Sequence, residues 1–169
     1  MYYFVTSSKD ASIYLQQPTQ NTGLDEVLEV SKVYYGNLKD TARSLVKFDL
    51  NTLPSKLSSG AVTMSEAQII LRETQPSEIA LAYSLHIHPI SQSWEMGVGT
   101  RFDNISVDGC TWNYRSSGSK WLPTEVPNGG LATGSYDGRG GMWYTSSEQT
   151  QSYEYQSTDL QVDVSSSLS

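Results

Sequence analysis

Apolar and polar residues alternate one by one in several short segments of this chain, and this period of two is its most restrictive feature. Between positions 81 and 88, one face of the predicted strand carries four apolar side chains, Leu81, Tyr83, Leu85 and Ile87. Side chains in a strand point to opposite faces in turn, whereas an amphipathic helix repeats every 3.6 residues. No window of a dozen residues sustains a helical stripe with caps at both ends, so the chain is predicted to be all-β.

The same alternation predicts strands in other parts of the chain. In the strand within 43–50, Val46, Phe48 and Leu50 are predicted to face the core, and the face with Arg43 and Leu45 to be mostly wet. Further strands are predicted at ASIYL (11–15), EVLEVSKV (26–33), EAQIILRET (66–74) and DLQVDVS (159–165), the last with Leu160, Val162 and Val164 inward and Asp159, Gln161 and Asp163 outward. Turn-rich connections separate them at 16–23, 34–40 and 55–65. Regular short strands with such spacers indicate a sandwich or barrel.

The segment from about Ser91 to Glu148 has a different texture, with little alternation and all four tryptophans. A structureless loop of this length is unusual in a compact domain. The segment is therefore predicted to be an ordered, aromatic- and glycine-rich loop region that packs its own rings over the sandwich.

Length and charge narrow the classes of function. A chain of 169 residues fits one domain, and its formal charge of -7 comes with singly scattered lysines and arginines. Nucleic acid and anionic membranes are therefore not expected as partners. The single cysteine, Cys110, excludes an intrachain disulfide and any multi-cysteine zinc site. The start of the chain does not resemble a secretory leader, so synthesis in the cytoplasm is expected.

Few residue patterns in the chain suggest catalysis or metal binding. His86 and His88 would share one strand face, but two ligands are too few for a metal site, and surface or loop-packing histidines are expected. No GxSxG elbow is present, and the acidic residues select no catalytic pair, so the chain is predicted not to be an enzyme. No cofactor is expected except that structural calcium could use the loop residues Asp103, Asn104, Asp108 and Asp137.

Aromatic rings in the loop region are the main candidates for binding. They are Trp94, Tyr114, Trp121, Trp143 and Tyr144, and Trp112 belongs to the same set of loop aromatics. Flat exposed rings stack on sugars or anchor protein interfaces. The alternative is that the rings form a core beneath the loops, which is expected for Trp112 and Trp121 and left open for Trp143 and Tyr144.

Several segments occur in an order that resembles a DNRLRE-type domain. They are ASIYL, NTG, EVLEVSKV, RSLVKFDLNTLP, EAQIILRE, HIHPISQSWEMG, TWNYRSSGSKW, a GG pair and DLQVDVSSS, together covering roughly Asp10 to Ser166. The resemblance implies a carbohydrate-binding-module-like jelly-roll sandwich without catalytic activity. Such domains occur in extracellular and surface proteins and in virion proteins of tailed bacteriophages.

The chain departs from the family pattern at its C-terminal end. In the family a strand like DLQVDVSSS is followed by a glycine-rich turn and a closing strand, whereas this sequence stops at Ser169. Residues 1–169 are therefore expected to form one sandwich domain that lacks its last strands. Either the sequence is a fragment, or the sheet has an open edge that must be paired or covered.

The function expected from the residues and the resemblance together is structural. The chain is predicted to be a component of a phage particle, in the capsid decoration, neck or tail, that contacts other virion proteins or copies of itself. The alternative is a carbohydrate-binding or adhesion module that binds glycans at a cell surface or outside the cell. A hydrolase is a third hypothesis, which would need a cleft that brings His86 or His88 together with an acid.

Overall fold

The computed structural model describes residues 2–74, 82–103, 105–121, 140–143, 149–154 and 159–165. The described residues contain nine strands and one short helix, which confirms the all-β class. The strands pair into one three-stranded and three two-stranded sheets, and sheets this small do not establish a jelly roll. No described helix is long and apolar enough to span a membrane.

The three-stranded sheet is antiparallel and has the order β1-β3-β2. Its strands are β1 (Ser7–Tyr14), β2 (Ser31–Tyr35) and β3 (Leu38–Phe48). A two-residue turn, Gly36–Asn37, joins β2 to β3, and Gly36 has a φ of +62°, as tight hairpin turns require. The predicted connection 34–40 is therefore mostly strand, and the strand predicted from position 26 begins only at Ser31.

The remaining strands form two-stranded antiparallel pairs. Strand β4 (Gln68–Arg72) pairs with β9 (Asp159–Asp163), β5 (Ala82–Ile87) with β8 (Gln149–Glu154), and β6 (Tyr114–Ser116) with β7 (Ser119–Lys120). The connection predicted at 55–65 starts with the helix α1 (Leu53–Ser58), which has Pro54 in its first turn. Proline is favoured there because the first helical N–H groups have no partner within the helix.

Alternation predicted the faces of the outer strands correctly. Tyr83, Leu85 and Ile87 are half-buried, whereas their neighbours in β5 are exposed. Val162 and Val164 are buried, whereas the intervening Asp163 is exposed. Leu81 lies outside the described residues.

The predicted faces of the strand within 43–50 were wrong at Arg43 and Leu45, although Lys47 and Asp49 are exposed as predicted. Leu45 is buried and belongs to the central core, and Arg43 on the same face is partly buried against tryptophan rings. Val46 and Phe48, predicted to face the core, are only half-buried. The pattern misled because an arginine counts as polar, although its stem and planar guanidinium pack well on aromatic surfaces.

The core lies between the three-stranded sheet and the tryptophan-rich segment. Its buried members are Ala11, Ile13, Leu45, Trp94, Cys110, Trp112, Trp121 and Met142. The indole of Trp121 is 1% exposed and donates to the carbonyl of Thr111 at 3.0 Å, so its one polar atom is satisfied. The expectation that the long segment packs its rings against the sheet is therefore confirmed for Trp112 and Trp121.

We predict that the thiol of Cys110 is unreactive in the folded chain. Cys110 is fully buried, and burial raises the pKa of its thiol to about 12. Because folding raises this pKa, the thiol adds stability that is complete below about pH 9 and is lost as the pH rises toward 12. At pH 8 a disulfide reagent should modify the native chain at least about 100-fold more slowly than the chain in denaturant. Equal rates in the two states would contradict this core.

Candidate interaction surface

The β2–β3 hairpin ends in an exposed aromatic tip. Tyr34, Tyr35 and Leu38 are 62%, 67% and 69% exposed, and the ammonium of Lys32 lies 5.9 Å from the centroid of the Tyr34 ring. Strand β2 is at one end of its sheet, and no other described strand pairs with its outer side. An edge strand with large apolar side chains is suited to contact with another chain. Residues 31–40 are called the hairpin surface below.

A second exposed surface is built from the segment 24–30 and the described residues of the segment 98–108, and we call it the loop surface. The amide of Leu24 donates to the carbonyl of Gly99 at 3.0 Å, and the amide of Arg101 donates to the carboxylate of Asp25 at 3.1 Å. These bonds hold the two segments side by side. Several of its apolar residues are strongly exposed, among them Phe102 at 92% and Ile105 at 70%.

The loop surface is also acidic. Its two segments contain five carboxylates and one arginine, namely Asp25, Glu26, Glu29, Asp103, Asp108 and Arg101. The guanidinium of Arg101 forms an ion pair with Glu29 and lies 4.3 Å from the centroid of the Tyr14 ring. Burial raises the pKa of the Tyr14 hydroxyl, so this phenol stays neutral and supports Arg101 through its ring. The remaining acidic groups give the surface a net negative charge.

Asn21 holds the loop surface together from beneath. Its side-chain nitrogen donates to the carbonyls of Met96 at 2.7 Å and Cys110 at 2.8 Å, and its side-chain oxygen accepts from the amides of Gly23 at 3.2 Å and Gly99 at 2.8 Å. Asn21 is fully buried, so all four hydrogen-bonding positions of its amide are used without water. The sequence pattern predicted only that Asn21 belongs to the turn-rich connection 16–23.

A cleft of about 300 Å³ lies at the edge of the loop surface. Its walls are polar and apolar in about equal parts and consist of Gln16, Gln17, Pro18, Thr19, Gln20, Arg101, Asp103 and Ile105. The side-chain amide of Gln20 is buried and donates to the carbonyl of Thr100 at 2.6 Å, which fixes one wall. This volume is at the lower end of the range for small-ligand pockets.

Arg43 lies between two tryptophans in the interior. Its guanidinium carbon is 4.7 Å from the Trp112 ring centroid and 4.5 Å from that of Trp143, and its Nη1 donates to the carbonyl of Gly140. No described carboxylate pairs with it, and burial lowers the pKa of Arg43 to about 10. The group remains protonated at neutral pH, and the two rings with the carbonyl stabilise the cation. The stack therefore fastens β3 to the segment 140–143.

Most of the described rings predicted to bind a ligand have other roles in the structure. Trp94 and Trp121 lie in the core, so their faces are not accessible to a sugar. Trp143 is half-buried, contacts Arg43 and lies 5.5 Å from the ring of His88. Tyr114 is half-buried in β6, and Tyr144 lies outside the described residues.

The residues considered for metal binding are found in separate places. His86 is exposed, whereas His88 packs on Trp143, which agrees with a loop-packing role for the second histidine. Asp103 accepts from the hydroxyl of Thr100 at 2.7 Å, and Asp108 from that of Ser106 at 2.8 Å. Asn104 and Asp137 lie outside the described residues. Within the described ranges, no three histidine, cysteine, aspartate or glutamate side chains converge on one point.

No protein-family model, curated protein or solved structure matches the chain.

Proposed function

We propose that the chain is a non-catalytic structural component of a tailed-phage particle and acts through protein–protein contacts. The exposed aromatic tip of the β2–β3 hairpin carries this proposal. The phage setting, in capsid decoration, neck or tail, and the jelly-roll sandwich architecture come from the resemblance of the sequence to DNRLRE-type domains. On this proposal the protein is made in the host cytoplasm and ends up in the virion.

The hairpin supports a contact role for energetic reasons. Each of Tyr34, Tyr35 and Leu38 leaves most of its surface in water, and burial of apolar surface stabilises a contact by about 25 cal/mol per Å². Tyrosine loses little conformational freedom on binding and is enriched at the centres of interfaces. The two-residue turn keeps the tip short, so little ordering is needed when a partner binds.

Carbohydrate binding is the second candidate, and the cleft at the loop surface favours it. Its glutamines, Arg101 and Asp103 can donate and accept hydrogen bonds to sugar hydroxyls, and the ring of Phe102 is exposed next to Arg101 in sequence. The core positions of Trp94 and Trp121 remove two of the rings first considered for stacking. Sugar binding would therefore use the residues of the cleft and not these tryptophans.

Incorporation into particles tests the proposed function. The chain is expressed in cells together with the other virion genes of its phage, and the particles are purified on a density gradient. We expect the chain to sediment with these particles. A double variant, Tyr34→Ser with Tyr35→Ser, should reduce incorporation at least about tenfold, since interface hot spots are few and aromatic. The matched control is Tyr2→Ser, because Tyr2 is also exposed but lies outside the hairpin.

Two outcomes would contradict the proposal. The first is that the wild-type chain stays at the top of the gradient while the particles assemble. The second is that the double variant is incorporated as well as the control. Retention of the free wild-type chain on immobilised glycans, with loss on Asp103→Ala and no incorporation into particles, would favour the carbohydrate-binding module.

A further inference from the structure

We infer that the hairpin surface of one copy binds the loop surface of a second copy of this chain. This inference rests on the proposed function, because it names one of the partners of that contact role. It follows from three properties of the two surfaces, namely their exposure, their charge and their shape.

Both surfaces are uncovered in the single chain. Tyr35 of the hairpin is 67% exposed and Phe102 of the loop surface is 92% exposed, so the hairpin does not cover the loop surface of its own chain. Each copy thus offers one of each surface. Apolar patches of this kind usually mark interaction sites on soluble proteins.

The charges of the two surfaces are complementary. Lys32, Lys39 and Asp40 give residues 31–40 a formal charge of +1, although the whole chain carries -7. The loop surface has five carboxylates against Arg101 alone. A basic aromatic tip is attracted to such a surface, whereas contact between two loop surfaces would bring like charges together.

The loop surface also offers a recess to the hairpin tip. The hairpin tip projects its rings beside a two-residue turn, and the loop surface has a cleft of about 300 Å³ at its edge. The wall of that cleft contains Arg101, whose guanidinium can stack on an incoming tyrosine ring as it does on Tyr14. The two surfaces are different parts of the chain, so the contact joins unlike patches and can extend to a ring or a filament.

Sedimentation velocity of the purified full chain tests this contact. We expect the weight-average mass to rise with concentration, and association to weaken at least about tenfold in Tyr35→Ser and, separately, in Phe102→Ser. Raising the salt concentration should weaken the wild-type association, because part of the attraction is electrostatic. The control Tyr2→Ser should associate like the wild type, and circular dichroism should show that each variant is folded.

A mixing experiment distinguishes this contact from others. Tyr35→Ser retains an intact loop surface and Phe102→Ser an intact hairpin, so the two variants should form a one-to-one dimer when mixed, with an affinity that neither variant shows alone. Undiminished association of Phe102→Ser alone would overturn the inference in favour of hairpin-to-hairpin pairing. A wild-type chain that stays monomeric up to about 200 μM also overturns it. If that monomer still enters particles through Tyr34 and Tyr35, the proposed function stands and the partner is a different protein.

Discussion

Replacing Asn21 by alanine is expected to lower the free energy of unfolding by about 4 kcal/mol or more. The substitution leaves the buried carbonyl of Cys110, the part-buried carbonyl of Met96 and two buried amides, of Gly23 and Gly99, without their side-chain partner. Each unpaired buried polar group costs about 1 to 3 kcal/mol, and a water molecule that enters the space recovers only part of this.

Denaturant unfolding followed by fluorescence of the buried tryptophans measures this effect. The matched control is Asn51→Ala, since Asn51 is exposed and the change there should cost less than about 0.5 kcal/mol. Asn21→Asp should be almost as harmful as alanine, because a carboxylate would place acceptors against the carbonyls of Met96 and Cys110. Equal stability of Asn21→Ala and Asn51→Ala would contradict the role assigned to Asn21.

Replacing Gly97 by alanine should lower the free energy of unfolding by about 2 to 5 kcal/mol, for two reasons that add. The φ of Gly97 is +79°, which an L-residue adopts at a cost of about 1 to 2 kcal/mol. In addition, a Cβ atom there would lie 2.4 Å from the side-chain oxygen of Asn21, so the buried amide would have to shift. Overpacking of this kind lowers the free energy of unfolding by a further ~1 to 3 kcal/mol.

Gly36 provides a control that separates the two reasons. Its φ is +62°, but a Cβ atom would meet nothing within 4 Å. Gly36→Ala should therefore cost only the backbone penalty of about 1 to 2 kcal/mol. If the two alanine variants had the same free energy of unfolding, close approach to Asn21 would play no part in stability.

The strands that could be predicted from the sequence are those with one face against apolar neighbours. In β5 and β9 the half-buried or buried residues alternate with exposed ones, so the period of two is visible in residue type. The second half of strand β1 is buried on both faces, since Ile13 packs in the core while Ser12 is also fully buried. The face of β3 with Arg43 and Leu45 was assigned wrongly because Arg43 packs against tryptophans distant in sequence. The local pattern of apolar and polar residues contains no information about such distant contacts.

The candidate surfaces were less accessible to sequence reasoning than the fold class. Whether a tyrosine is exposed depends on what the rest of the chain covers, so Tyr34 and Tyr35 were assigned to a turn and Trp94 to a binding site. The adjacent pair of tyrosines before Gly-Asn was the available signal, because a tight turn there leaves the flanking side chains at a hairpin tip. The role of Asn21 had no signal in the sequence beyond its polar side chain in the turn that contains Gly23.

The two stability predictions bear on function through the loop surface. Asn21 and Gly97 are in direct contact beneath that surface, and the backbone N–H of Asn21 also donates to the carbonyl of Ser106 within it at 2.9 Å. A rigid support lowers the ordering cost of binding, so a loosened loop surface should bind its partner more weakly. Loss of association in Asn21→Ala would therefore follow from loss of stability and should be partial where the variant remains folded.

Photo-cross-linking from the hairpin tip shows directly whether this tip contacts another protein chain. A photoreactive phenylalanine derivative is placed at Tyr35 in chains incorporated into purified particles, with the same group at Tyr2 as the control. We expect cross-linked peptides from another protein chain at Tyr35, with peptides from 98–108 of a second copy among them, and far fewer at Tyr2. If illumination at Tyr35 gives only products of reaction with solvent or within the same chain, the hairpin does not contact another protein and the proposed function is contradicted.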